Sequence, residues 1–266
     1  MIRDITLGQY YPGDSSVHQL DPRVKIIVTI AYIVALFIAD SFVGMVTAAL
    51  AVLIAIAVSR VPISFILRGL KPIFFIILFT FVLNLFMGTG EVLVTIWKLR
   101  ITDNGLRTAV FMAVRLILLI MGSSLLTLTT KPISLTDGLE SLMRPLKAIG
   151  VPAHELAMMM TIALRFIPTL LEETDKIMKA QQARGADFET GNIFHRAKSL
   201  IPILVPLFIS AFRIAQELAM AMEARCYHGG ENRTRMNAMK LGKKDFGMTV
   251  LLLLFLGIMI GERYFL

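Results

Sequence analysis

The stretch FVGMVTAALAVLIAIAV, residues 42–58, contains no charged side chain. A helix needs about 20 apolar residues to cross the ~30 Å hydrocarbon core of a membrane, so this stretch is near the lower limit for a span. Further apolar stretches occur at residues 24–39, 70–87, 108–129 and 246–260. Each of the five is predicted to cross the membrane as a helix, because an unpaired backbone amide costs several kcal/mol in lipid.

The composition of the 266-residue chain agrees with this interpretation. Hydrophobic residues make up 56% of the chain and charged residues only 17%, which is too apolar for a soluble domain of this length. The net charge of +8 would otherwise suggest a nucleic-acid partner. Placement of the cations at membrane surfaces explains the charge more simply, so no nucleic acid is expected. The single cysteine, Cys226, excludes an internal disulfide, and four scattered histidines predict no metal site.

The basic residues predict how the chain is oriented, because Lys and Arg are retained on the cytoplasmic side of a membrane. With the N-terminus inside, 22 of the 27 Lys and Arg residues are cytoplasmic, and Arg115 lies within a span. The outer cations are Lys98, Arg100, Arg107 and Arg263. The predicted location is therefore the cell membrane, crossed several times, with the N-terminus in the cytoplasm and the C-terminus outside.

Residues 131–245 are apolar enough to look membranous, yet they carry charges every few residues. Segments 156–171 and 200–222 are either a sixth and seventh span or long amphipathic helices on or under the bilayer. Both interpretations leave an odd number of crossings, so orientation does not separate them. The extent to which these two segments are embedded in the membrane stays open at this point.

Helical periodicity favours amphipathic helices, at least in their second halves. Residues 171–181 continue the first segment. At about 100° per residue, they form one face that is predicted to pack and one charged face. The packed face contains Leu171, Thr174, Ile177, Met178 and Gln181, and the charged face contains Glu172, Glu173, Asp175, Lys176 and Lys179. In the second segment the polar face contains Arg213, Gln216, Glu217 and Glu223, opposite Phe212, Ile214, Leu218, Ala219, Ala221 and Met222.

A short helix is predicted before the two long ones. Ser134, with Asp137 three residues later, resembles a capping arrangement, and Gly150 with Pro152 closes the unit. If Pro152 begins the next helix and it reaches Arg184, the helix is about 48 Å long at 1.5 Å per residue.

Each of the two long helical patterns ends at an arginine between small residues. The two motifs are Ala183-Arg184-Gly185 and Ala224-Arg225-Cys226. One interpretation is a helix end, where a cation complements the macrodipole and a glycine terminates the helix. The other is a binding role, because the angular count puts Arg225 on its helix's apolar face and Arg184 at the edge of one. A planar guanidinium between small neighbours suits a carboxylate on a partner protein.

At these motifs the chain resembles the EcfT family, the transmembrane T component of energy-coupling factor (ECF) transporters, which are ABC-type importers of vitamins and metal ions. The opening GQYYPGDSSVHQLDPRVKI resembles the family's N-terminal signature, whose core is Asp21, Pro22 and Arg23. QQARGADF and MEARCYHGG are similar to the two Ala-Arg-small motifs that end the family's coupling helices. Cys226 departs from the more usual glycine or serine at the third position. The resemblance covers nearly the whole chain.

The resemblance implies partners and a mechanism. In the family each motif arginine docks into a groove of one of two ABC-type ATPase subunits, where acidic residues receive it. Carried over to this chain, the docking residues are Ala183, Arg184, Gly185, Ala224, Arg225 and Cys226. The remaining helical surface is expected to hold one membrane-embedded S component, which supplies the vitamin or ion site. ATP binding would move the docked helix ends, and the long helices would pass the displacement to the S component.

The chain itself is not expected to be an enzyme, and no catalytic, cofactor or metal residues are predicted. It has no Gly-x-x-x-x-Gly-Lys-Ser/Thr loop for phosphates, so energy is expected to come from another subunit. Two alternatives are a stand-alone membrane carrier and a membrane-embedded lipid-modifying enzyme. A carrier is expected to show inverted repeats, and such an enzyme a polar catalytic cluster near one interface; the sequence shows neither pattern.

The predicted fold is therefore all-α: a polytopic membrane helical bundle with a cytoplasmic-side module of long amphipathic coupling helices. Residues 1–130 form the N-terminal segment and the first four spans. Residues 131–245 form the coupling helices, and residues 246–266 the last span.

Overall fold

The computed structural model describes residues 10–39, 41–87, 92–96, 99–186, 188, 192, 194, 198–229 and 239–265. Its α-helices are α1 (Pro22–Ile38), α2 (Phe42–Ser59), α3 (Ile63–Leu70), α4 (Phe74–Met87), α5 (Asp103–Thr129), α6 (Pro132–Met143), α7 (Ala153–Ala183), α8 (Ile201–Ala224) and α9 (Lys243–Phe265). Short 3-10 turns occupy Lys71–Ile73 and Arg144–Ile149. The predicted all-α class is confirmed.

One element departs from the helical prediction. Strands β1 (Val92–Ile96) and β2 (Leu99–Thr102) pair antiparallel between α4 and α5, with Ile96 opposite Leu99. The register is irregular between Val92 and Val94. β-Branched residues recur in both strands and favour extended backbone, although so short a segment gives a weak signal beside the long apolar helices.

In the part of the chain that the structure describes, six helical stretches are long and apolar enough to cross a membrane, judged by length and composition. They are Phe42–Ser59, Ile63–Met87, Asp103–Thr129, Ala153–Ala183, Ile201–Ala224 and Lys243–Arg263. Four of the five predicted spans fall within them. The other, predicted at 24–39, is helix α1, whose 17 residues extend about 25 Å. The two long helices qualify as well, so length and composition leave their relation to the membrane open.

The chain divides into two compact units. The bundle unit consists of Gly8–Ser141 and Met239–Leu266, and the long-helix unit is built from Leu142–Ala238. In the bundle unit a buried apolar cluster joins α1, α2, α3 and α5. Its members are Tyr32, Leu36, Met45, Ala48, Val52, Ile56, Val61, Ile66, Leu118, Leu125 and Leu128.

Helices α1 and α5 approach closely at Gly122, where a Cβ atom would lie 2.5 Å from the Tyr32 ring. Small residues at such crossings let membrane helices pack through backbone contact. The absence of a side chain at Gly122 therefore creates the space that Tyr32 fills.

The predicted start of the short helix is wrong, and the predicted long helix is confirmed. Helix α6 begins at Pro132, two residues before Ser134, because proline is well tolerated in the first helical turn. Helix α7 has Pro152 as its N-cap and Arg184 as its C-cap. Its 31 residues extend about 46 Å.

Candidate functional site

The first arginine motif forms the C-terminal cap of α7. Arg184 is the C-cap residue, and Gly185 follows with a φ of 88°. The Gly185 N–H donates to the Gln182 carbonyl at 2.9 Å, and the Ala186 N–H donates to the Gln181 carbonyl at 3.0 Å. This pair of hydrogen bonds is a Schellman motif, which uses a left-handed residue to satisfy the last helical carbonyls.

The second motif ends α8 in the same way. Arg225 is the C-cap residue, and Cys226 takes the left-handed position with a φ of 53°. The Cys226 N–H donates to the Glu223 carbonyl at 2.9 Å, and the Tyr227 N–H donates to the Met222 carbonyl at 3.1 Å. The third position of each motif therefore needs a backbone conformation that glycine adopts at little cost and cysteine adopts under strain.

Both motif arginines are exposed, and so are their neighbours in the motif. Within the described part of the chain, no hydrogen bond or ion pair involves either guanidinium. The angular count groups Arg225 with an apolar face, and in the structure its side chain is exposed at the C-cap position. Ile214 and Leu218, with which it was grouped, are half-buried.

Helices α7 and α8 pack against each other. The side chain of Gln181, near the end of α7, donates to the Pro202 carbonyl at the start of α8, with an N–O distance of 3.4 Å. Arg184 therefore lies beside the first turn of α8, and Arg225 ends the same helix. Since α8 has 24 residues, the two arginines are separated by roughly 36 Å along it.

The predicted packed face of α7 is half-buried along its length. Its members are Leu171, Thr174, Ile177, Met178 and Gln181. On the predicted charged face, Glu172, Lys176 and Lys179 are exposed, whereas Glu173 and Asp175 are half-buried. Lys176 lies 3.6 Å from a Glu173 carboxylate oxygen, as expected for partners three residues apart.

The N-terminal signature caps α1 in the bundle unit. The Asp21 carboxylate accepts a hydrogen bond from the Arg23 N–H at 2.9 Å, and Pro22 occupies the first helical position, where no N–H is needed. The Arg23 guanidinium is 3.3 Å from the same carboxylate oxygen and donates to the Met239 carbonyl at 3.1 Å. The signature therefore joins the start of α1 to the segment that precedes α9.

Asp245, in the first turn of α9, continues this contact. One of its carboxylate oxygens accepts the buried Asp21 N–H at 2.7 Å. Lys25 is also buried, and its ammonium donates to the Thr129 carbonyl at 2.9 Å at the end of α5. Asp21, Arg23, Lys25 and Asp245 form the signature network, in which buried charges are offset by one another and by backbone groups.

The sequence has close relatives along nearly its whole length. A sequence model of the family described as "CbiQ: Cobalt transport protein" matches residues 13–236. An "Energy-coupling factor transporter transmembrane protein EcfT" from Clostridium kluyveri is 62% identical over 248 residues, which cover 92% of each chain. A protein of the same name from Bacillus subtilis is 47% identical over 254 residues, covering 95% of this chain and 96% of its own length. The chain belongs to the EcfT family.

Membership of the EcfT family confirms the resemblance found in the sequence and the multi-pass membrane location. The matched region contains the signature at Asp21 and both motif arginines, Arg184 and Arg225. The signature lies in the bundle unit, and each arginine ends a different helix of the long-helix unit.

Sequence reasoning misses two members of the signature network. It treats Lys25 only as a cytoplasmic cation and Asp245 only as the last residue of the region 131–245. The local sequence indicates only a helix start at Asp245, whose other carboxylate oxygen accepts from the Gly242 N–H at 2.7 Å. It gives no signal for the contact with Asp21.

Proposed function

We propose that this chain is the membrane scaffold subunit of an ECF-type ABC importer. It couples ATP hydrolysis by two partner ATPase subunits to movement of a substrate-binding S component, for vitamin or metal-ion uptake. The name of these relatives, energy-coupling factor transporter transmembrane protein, supports the role in the transporter. The family description as a cobalt transport protein supports metal ions as one substrate class.

The observation that carries the proposal is the repetition of one helix cap at two places. Each cap presents an exposed arginine with no internal partner among the described residues, directly after a helix of 31 or 24 residues. The cap fixes the backbone at the arginine. The planar guanidinium can then form two parallel hydrogen bonds with a carboxylate. A separation of roughly 36 Å along α8 suits two separate subunits, since one small acidic groove does not span that distance.

The surface available for an S component is an exposed apolar stripe on α8. It contains Ile201, Leu204, Val205, Phe208, Ile209 and Phe212, each about half or more exposed. The residues recur at helical spacing, so they form one continuous face. We assign this face to the S component, because a hydrophobic membrane protein is the partner that covers such a face without leaving polar groups unpaired.

The mechanism follows from the stiffness of the two long helices. When ATP draws the two ATPase subunits together, the docked ends at Arg184 and Arg225 move with them. Because α7 and α8 pack against each other, the displacement reaches the apolar stripe of α8 and shifts the S component. The chain contributes no nucleotide chemistry in this scheme, and lacks a phosphate-binding Gly-rich loop in its sequence.

The test is co-purification with the two ATPase subunits, comparing wild type with Arg184→Glu, Arg225→Glu and the double variant. Charge-assisted contacts contribute ~1.5 to 3 kcal/mol each, so each single reversal is expected to weaken association roughly 10- to 100-fold. The double variant should insert into the membrane and lose the ATPases. Cys226, the only cysteine, is exposed and gives a second readout. Its labelling by a maleimide should fall when the ATPases bind.

Arg213→Glu is the matched control, because Arg213 is exposed in the middle of α8 and belongs to neither cap. It makes the same charge reversal and should leave ATPase association unchanged. An intact, equally active complex with the double variant would reject the docking role. Equal loss with Arg213→Glu would show that charge on the helix, and not the caps, holds the ATPases.

A further inference from the structure

The connection between α2 and α4 is strongly basic. We call α3, together with the flanking Arg60 and Lys71, the elbow helix. It contains three cations, Arg60, Arg68 and Lys71, and no Asp or Glu occurs anywhere from residue 41 to residue 90. Helix α2 is one stretch that qualifies as a membrane span, and the next, Ile63–Met87, begins with α3 itself and continues into α4. All three cations lie between the end of α2 and residue 71, and basic residues mark the cytoplasmic end of a span, so the elbow helix is placed at the membrane surface.

One face of the elbow helix is anchored in the bundle unit. Ile66 is 1% exposed within the apolar cluster, and Gly69 lies against α5, where an added Cβ would be 3.1 Å from the Ser124 hydroxyl oxygen. The Phe65 ring contacts the Tyr11 ring, with centroids 5.2 Å apart. These contacts fix the rotation of the helix about its own axis.

The remaining surface combines apolar and cationic side chains. Ile63 and Leu67 are more than half exposed. Arg60, Arg68 and Lys71 are exposed too, and the Arg68 guanidinium lies 5.1 Å from the centre of the Phe65 ring. In the described part of the chain, no ion pair involves any of the three cations. Apolar side chains favour hydrocarbon and cations favour phosphate and water, so this surface fits the boundary between acyl chains and headgroups.

We infer that the elbow helix is a binding site for the phosphate headgroups of anionic phospholipids. Arginine pairs with phosphate through two parallel hydrogen bonds, and each cation near a membrane surface adds to the attraction for anionic lipid. The exposed Ile63 and Leu67 are placed to contact the acyl chains of the same lipids. This inference does not depend on the docking of Arg184 or Arg225, since the elbow helix belongs to the bundle unit and uses none of the motif residues.

The experiment is native mass spectrometry of the purified full chain, titrated with phosphatidylglycerol or with phosphatidylcholine of the same acyl chains. Wild type is expected to retain phosphatidylglycerol in preference to phosphatidylcholine. The triple variant Arg60→Gln, Arg68→Gln, Lys71→Gln should lose that preference. Each cation is expected to contribute roughly fivefold to the affinity for phosphatidylglycerol, so removing all three should lower the apparent affinity on the order of 100-fold.

The matched control is Lys179→Gln, Lys198→Gln, Arg213→Gln, which removes three exposed cations from the long-helix unit. It should keep the preference, as should Arg60→Lys with Arg68→Lys, which conserves charge at the elbow. Inorganic phosphate should fail to displace the lipid, because it offers no acyl chain. The inference is overturned if the triple variant keeps the preference, if the matched control loses as much, if the lysine variant loses it, or if inorganic phosphate displaces the lipid.

Discussion

Cys226 is the residue at which the two arginine motifs differ. In α7 the left-handed position is taken by Gly185, and in α8 by Cys226 with a φ of 53°. A Cβ atom in this region lies close to the following carbonyl oxygen, at a cost of roughly 1–2 kcal/mol. The backbone at the third position of each motif therefore favours glycine, and cysteine adopts the same conformation at position 226 under strain.

Cys226→Gly should stabilise the end of α8. Removing the Cβ relieves roughly 1 kcal/mol of strain, so amide exchange at Cys226 and Tyr227, which donate the capping hydrogen bonds, should slow about fivefold. Hydrogen–deuterium exchange measured by mass spectrometry on the peptide around residues 222–228 gives the comparison. Cys226→Ala is the control, since it removes the thiol and keeps the Cβ. Equal slowing in the alanine variant would show that the left-handed conformation is not the cause.

The signature shows what sequence reasoning reaches at this scale. Asp21 before Pro22 has a local signal, because a capping carboxylate and a proline at the first position are typical of a helix start. The hydrogen bond from the Asp21 N–H to the Asp245 carboxylate has no local signal in the sequence, since 224 residues separate the partners. Such a contact exists only once α1 and α9 are adjacent, and that adjacency is a property of the folded bundle.

At the scale of elements, hydropathy predicts the membrane helices because each must satisfy its backbone hydrogen bonds internally, whatever its neighbours are. Packing between helices is less visible. Nothing in the run from Leu118 to Leu128 marks Gly122 as a crossing point, yet a Cβ there would lie 2.5 Å from the Tyr32 ring. The β1–β2 pair is missed for a related reason, because its stability comes from pairing between two strands.

Gly122→Ala should destabilise the bundle unit. The Tyr32 ring is buried, and its hydroxyl lies within 3.5 Å of the Ala48 and Leu118 carbonyls, so it has little room to move away. Overpacking of this kind costs roughly 1–3 kcal/mol. Thermal aggregation of the purified chain, followed by size-exclusion chromatography after heating, should occur at a lower temperature than in wild type.

Gly257→Ala provides the control for that measurement. Gly257 lies in α9 with no atom within 4 Å of an added Cβ, so the same substitution adds no clash there. It should leave the aggregation temperature unchanged or raise it slightly, because alanine is the better helix former. In a Tyr32→Ala background, Gly122→Ala should lower the aggregation temperature by less than it does in wild type, because the ring it would strike is gone. An equal drop in both backgrounds would show that the close approach of the two side chains is not the source of the instability.

At the scale of the whole molecule, the docking proposal requires both motif arginines to lie on the cytoplasmic side of the membrane. Counting crossings from an inside N-terminus, Arg225 is cytoplasmic whether or not α7 and α8 span the membrane. Arg184 is cytoplasmic only if they do not, because a single crossing by α7 would place it outside. A charge favours the arrangement in which α7 does not cross: Arg165 lies near the centre of segment 156–171, and a charged residue there costs ~2.5–3.5 kcal/mol. The five charges Glu172, Glu173, Asp175, Lys176 and Lys179 follow that segment and do not decide the question.

Cysteine labelling separates the two arrangements. Native Cys226 reports the end of α8, and Gln182→Cys in a Cys226→Ser background reports the end of α7, where residue 182 is exposed. With a membrane-impermeant maleimide, both positions should react in inside-out vesicles and neither in right-side-out vesicles. A cysteine at the C-terminus should show the reverse, because the predicted orientation has α9 carry the chain to the outside. Reaction of positions 182 and 226 from opposite sides would mean that α7 and α8 cross the membrane. In that case two cytoplasmic ATPases could not bind both arginines, and the docking proposal would be lost while family membership remained.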